Sequence, residues 1–153
     1  MATHTATVIW SRGDAVFTDK RYSRAHQWRF DGGALVAASA SPHVVPLPCS
    51  DPNGVDPEEA FIASISSCHM LWFLFLAAQR GFRVDSYHDE ALGELGKNAG
   101  GREAILRVVL RPRIVFSGGK TPSAEELDHL HEESHHRCFI ANSVLTEVRV
   151  EPL

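Results

Sequence analysis

Twenty consecutive residues, Ala60 to Gln79, contain no Asp, Glu, Lys or Arg, and they lie in the middle of a 153-residue chain. Their flanks mark one helix. Asp56 can cap it, Pro57 suits the first helical position, and Glu58 and Glu59 put negative charge where the helix dipole favours it. Gly81 ends the run as a left-handed C-cap would. Phe61, Ile65, Cys68, Trp72 and Phe75 share one face at helical spacing, but Met70 through Ala78 is apolar on every side. The expectation is a central helix over 56–81, buried and covered all round. A membrane span needs about 20 apolar residues, yet Ser64, Ser66, Ser67 and His69 cluster near the midpoint, where a bilayer tolerates polar groups worst. A core helix explains the run better.

The remaining residues must supply the cover, and at 44% hydrophobic and 22% charged the chain suits a single domain, 1–153, able to bury a sizeable core. A net charge of −4 and the lack of a Lys/Arg run argue against nucleic acid or an anionic membrane surface as partner. The N-terminus lacks the pattern of a secretory signal, so a cytoplasmic protein is expected. Cys49, Cys68 and Cys138 are too few and too widely spaced for a disulfide framework and read as thiols or catalytic groups.

Thr5 to Trp10 alternates as a strand and turns at Ser11-Arg12-Gly13-Asp14, which sets Arg12 at a strand end. Tyr22–Phe30 and Ala34–Ala40 are joined by Asp31-Gly32-Gly33, a hairpin signal, so residues 1–40 form an antiparallel meander. Four prolines make 41–55 an extended loop, with Cys49 inside it. After the central helix, 82–117 reads as a second hairpin, Arg83–Leu95 and Arg102–Phe116, turning at residues 97–101. A second helix is predicted from Thr121-Pro122 towards Arg137, with Cys138 at its end, and Val144–Glu151 alternates as a half-buried final strand. The order βββ-α-ββ-α-β implies an α+β fold, an antiparallel sheet wrapped around two helices.

A cysteine in the third turn gains little from the helix dipole, which fades within the first turn. Burial alone would raise its pKa, so a reactive Cys68 needs a nearby cation; Arg12 and Arg24 are the candidates from the N-terminal segments. The plain alternative is that Cys68 packs as a small hydrophobe.

The stretch DPEEAFIASISSCH, with Glu58 ten residues before Cys68, together with LHEESHHRCFIANSV, resembles the OsmC/Ohr family of thiol-dependent hydroperoxide reductases. The order of elements fits that family along nearly the whole chain. The resemblance implies an intertwined homodimer in which Cys68 is the peroxidatic thiolate and Cys138 resolves it as a disulfide. Glu58 would orient the arginine that stabilises the thiolate, either Arg12 at the family-like position or Arg24 as a substitute. An organic hydroperoxide would be the substrate and a dithiol, small molecule or lipoyl protein, the reductant; no cofactor or metal is implied. His69 beside the cysteine, and Gln27-Trp28-Arg29-Phe30-Asp31, depart from common members and point to a divergent subfamily. His69 could assist proton delivery, although a neighbouring helical position points about 100° away.

Two other readings fit parts of the sequence. His131-Glu132-Glu133-Ser134-His135 is a literal H-E-x-x-H on a predicted helix, as in zinc hydrolases, with a third ligand to be found among His129, His136, Cys138 or Glu147. A solvated, His-rich helix face is its bland counterpart. Trp72, Phe73 and Phe75 would also suit a non-catalytic binder of apolar ligands. Cys49 has no evident activating partner.

Overall fold

The computed structural model describes residues 1–153, and these fall into two compact units, 1–60 and 61–153. In the first unit β1 (Ala6–Ile9), β2 (His26–Phe30) and β3 (Leu35–Ala38) form an antiparallel meander with β2 in the centre. The hairpin turn forms at Asp31-Gly32-Gly33: Gly33 has φ 86°, and its N–H donates to the Phe30 carbonyl at 3.0 Å. The first two strands are shorter than the alternation predicts because aromatic packing takes their ends. Trp10 leaves the ladder, donates its indole N–H to Ser23 O at 2.8 Å and meets Tyr22 edge-on with ring centroids 5.3 Å apart. The proline-rich segment 41–55 returns to β3 through two backbone bonds, Val55 N–H to Ala37 O at 2.9 Å and Ser39 N–H to Val55 O at 3.1 Å.

Helix α1 (Pro57–Gln79) opens on a reciprocal cap. The Asp56 carboxylate accepts from Glu59 N–H at 2.7 Å, and the Glu59 carboxylate accepts from Asp56 N–H at 3.1 Å. Gly81, φ 79°, stands just past its end. The buried residues of α1 are Ile65, His69, Phe73, Leu76 and Ala77, a different stripe from the one that the spacing singled out. Cys68 and Trp72 are half-buried, while Phe75 and Leu71 are 53% and 61% exposed. The helix is therefore sealed on one face of this chain, not covered all round. A helix apolar on every side carries no directional signal of its own, so its packing partners choose the inward face. Ile65 packs with Val108 and Leu110, and Phe73, Leu76 and Ala77 pack with Phe82 and Leu130.

Each arm of the predicted second hairpin breaks in two. β4 (Arg83–Asp89) and β5 (Leu92–Lys97) lead to the turn, and β6 (Glu103–Leu110) and β7 (Pro112–Ser117) return from it, so that β4 pairs β7 and β5 pairs β6, both antiparallel. Asp89 fixes the break. One of its oxygens accepts from Arg111 N–H at 2.6 Å, between β6 and β7, and the other accepts from the Ser66 hydroxyl on α1.

Helix α2 (Ala124–Arg137) starts slightly later than Thr121-Pro122 suggests, because Ser123 and Glu126 form a capping box: Glu126 N–H donates to Ser123 Oγ at 3.2 Å and Ser123 N–H donates to Glu126 Oε2 at 2.9 Å. Cys138 is its C-cap, followed by a short 3-10 turn, Ala141–Ser143. The last strand, β8 (Glu147–Val150), lies parallel to β6, a correction to the wholly antiparallel sheet expected. The fold is α+β, with two helices and mainly antiparallel strands.

Candidate thiol site

Cys68 and Cys138 are both free, one half-buried in the middle of α1 and the other buried at the end of α2. The two thiols are neighbours, near enough for Cys68 to act on the Cys138 thiol. Burial and then the neighbouring Cys68 push the Cys138 thiol up to about 11, against the pull of the Ala141 N–H, which donates to its sulfur at 3.4 Å. Cys138 is therefore held as a protonated thiol at neutral pH.

Cys68 borders a cavity of about 610 Å³ lined by Ser64, Ser67, Leu71, Trp72, Phe75, Phe139 and Ile140. The lining is apolar apart from two serines, and Ser64 spends its hydroxyl proton on Phe61 O at 2.7 Å. Trp72 meets Phe75 and Phe139 edge-on, with centroids 5.8 and 5.6 Å apart. The Arg137 guanidinium lies over the Trp72 ring at 5.5 Å and pairs with Glu133 at 2.6 Å. Sequence reasoning missed Phe139, Ile140 and Arg137, whose one signal was their position beside Cys138.

His69 points away from this cavity. Its Nε2 lies 3.0 Å from Nδ1 of His131 in the buried contact between α1 and α2, so it is not placed to protonate a leaving alkoxide. Burial first, then the neighbouring His131 and His135, lower His69 to about 3; burial lowers His131 to about 4 against the opposing charge of Asp128. Both rings are neutral at pH 7.

Arg12 and Arg24 stand in the first unit. Arg12 donates to the Ala15 carbonyl; Arg24 donates to the carbonyls of Lys20, at 2.8 Å, and Tyr22, and covers the Tyr22 ring at 3.9 Å. Neither forms an ion pair with Glu58 within the chain. Glu58 itself is ten residues before Cys68 on the unbroken α1, about 15 Å along the axis. Cys49 donates to Arg21 O at 3.4 Å.

In the H-E-x-x-H segment, His131 spends Nδ1 on His69. His131 and His135 line a separate cavity of about 340 Å³ with Asp128 and Glu132, and no three or more His, Cys, Asp or Glu side chains converge to hold a metal ion. Of the third ligands that the zinc reading offers, Glu147 is engaged by Arg107 at 2.8 Å and Arg149 at 2.7 Å, and His129 lies 3.9 Å from Glu132.

Residues 50–152 match the family described as OsmC-like protein, and the chain belongs to that family. It is 55% identical to an OsmC-like protein of unknown function from Vibrio cholerae, over 100% of both chains and with a TM-score of 0.98. The fold is also that of an organic hydroperoxide resistance protein from Elizabethkingia anophelis, at 17% identity over 99% of this chain and 94% of that one, TM-score 0.70. The organic hydroperoxide resistance protein OhrB of Bacillus subtilis matches at 17% identity over 99% of this chain and 98% of that one, TM-score 0.65. No curated protein matches the chain.

Proposed function

We propose that this protein reduces organic hydroperoxides, with Cys68 as the peroxidatic and Cys138 as the resolving thiol. The observation that carries the reading is the pairing of two neighbouring free thiols, one of which, Cys68, borders an apolar cavity. The sulfur that borders the cavity is Cys68, whereas Cys138 is buried and held protonated, which supports the same division of labour. Attack by the Cys68 thiolate on the peroxide forms an S–O bond and breaks the O–O bond; the alkoxide takes up a proton and leaves as the alcohol. Cys138 sulfur then attacks the Cys68 sulfenic acid, an S–S bond forms, and hydroxide leaves with the Cys138 proton as water. A dithiol, small molecule or lipoyl protein, restores both thiols by two exchanges and ends as its own disulfide. A reducing cytoplasm keeps the couple ready.

The cation in this reading is Arg12 or Arg24, held by Glu58. Because one helix separates Glu58 from its own Cys68 by roughly 15 Å, the carboxylate comes from a second copy in an isologous homodimer, whose contact also covers Leu71 and Phe75. Intact mass after cumene hydroperoxide or hydrogen peroxide, for the wild type and Cys68→Ser, tests the reading. Loss of two hydrogens in the wild type, faster with the bulky peroxide and absent in the variant, is expected. Binding of the bulky peroxide without oxidation of Cys68 would leave only an apolar-ligand binder.

A further inference from the structure

In the buried contact between α1 and α2 a hydrogen bond joins two histidines, His69 and His131. His69 directly follows Cys68, and His131 lies two turns before Cys138. They are 1% and 4% exposed, and their rings are stacked at 10° with centroids 5.4 Å apart. The remaining nitrogens, His69 Nδ1 and His131 Nε2, are buried without a partner. Two leucines would be cheaper to bury there, since each orphaned polar atom costs on the order of 1–3 kcal/mol. The pair is thus hard to explain as a stabilising contact. What it does supply is direction. Apolar contacts tolerate sliding and rotation, whereas an N–H···N bond fixes both the height of α1 along α2 and its rotation about its own axis.

Disulfide closure needs that constraint, because it demands a narrow range of Cα separation and a set dihedral. One residue from His69 and one helix end from His131 are the two sulfurs that must meet. Elsewhere the helices are tied by Arg80 and Glu133, a partly exposed ion pair beyond the end of α1 and twelve residues past Cys68. That pair is too remote and too solvated to set the rotation at the thiols, and the contact of the partly exposed Arg137 with the Trp72 ring, at 5.5 Å, is loose enough to let the helices slide.

We propose that the His69–His131 pair is a positioning device for the thiol couple, holding α1 against α2 in the one register that lets Cys138 close on Cys68. Neither ring touches the reacting atoms. The inference rests on the reading of Cys68 and Cys138 as a redox couple, and it is independent of which oxidant starts the cycle.

The test measures the equilibrium constant of the intramolecular disulfide against glutathione buffers, by alkylation and mass, in the full chain. His69→Gln and His131→Asn set an amide near the bonding nitrogens Nε2 and Nδ1, and should stay within roughly twofold of wild type. His69→Leu and His131→Leu should each shift the couple towards the dithiol by roughly tenfold or more. Because a single leucine strands its partner and can unfold the chain, the decisive variant is His69→Leu/His131→Leu, which removes both polar groups and keeps an apolar contact. A folded double-leucine variant that closes the disulfide with the wild-type constant overturns the proposal, even if peroxide still oxidises Cys68. A lowered constant that the amide variants rescue supports it, even if no peroxide is turned over. Equal losses in the amide and leucine variants also overturn it, because they point to packing rather than the bond.

Discussion

On one face of α1, Ile65, His69, Phe73 and Leu76 are sealed against strands and α2; on the other, Cys68, Leu71, Trp72 and Phe75 border an open, apolar cavity. Both faces are made of the same kinds of side chain. The difference lies in what the chain brings to each: Val108, Leu110, Phe82 and Leu130 on the closed side, Phe139 and Ile140 on the open one. A helix without polarity around its circumference can therefore serve packing and chemistry at once, provided the two lie on opposite sides. Apart from the His69–His131 pair, damage to one side should leave the other intact.

The largest expected effect is on the open side. Cys68→Ser should lower peroxide turnover by roughly a thousandfold or more, with the thermal midpoint unchanged; a variant that still turns over peroxide breaks the assignment. On the sealed side, Phe73→Ala should cost about 3–5 kcal/mol in urea unfolding, while the residual folded protein keeps the Cys68–Cys138 reaction.

Acid should act on the sealed side as well. His69 and His131 refuse protons until about pH 3 and about pH 4 in the folded chain, whereas unfolded histidines take them up near pH 6.5. Between those limits the unfolded state binds more protons, so stability is full above about pH 6.5 and falls as pH drops. His135 and the opposing Asp128 face the same pair. Urea midpoints from pH 7.5 to 4.5 should decline, and less steeply in His69→Leu/His131→Leu. Smallest is the effect of Leu71→Asp on the fold of one chain, within about 0.5 kcal/mol. Sedimentation should nonetheless report weaker self-association, and unchanged association would remove the open face from the subunit contact.

Local signals made much of the scaffold readable. Asp56, Pro57 and Gly81 bound α1, Asp31-Gly32-Gly33 sets the first hairpin, and Cys138 falls at the end of α2, because caps and turns are decided within a few residues. What escaped was non-local. The parallel pairing of β8, the break at Asp89 and the sealed face of α1 each depend on residues brought together by the whole fold. The same holds within the site. Cys68 could be picked out as an oddity of an apolar helix, but the bond from His69 to His131 spans 62 positions, and no spacing announces it.

The parallel pairing of β6 with β8 has a kinetic consequence. Parallel neighbours need a crossover, and here that crossover contains α2. Residues 40 apart, Arg107 and Glu147, must meet before the strand can add. Such long-range closure is slow compared with forming a helix or a hairpin. During synthesis α1 therefore emerges early with its thiol uncovered, while the segment bearing Cys138 and the strand that follows it arrive last. The nascent chain passes through an interval in which Cys68 is exposed and Cys138 has not yet reached it.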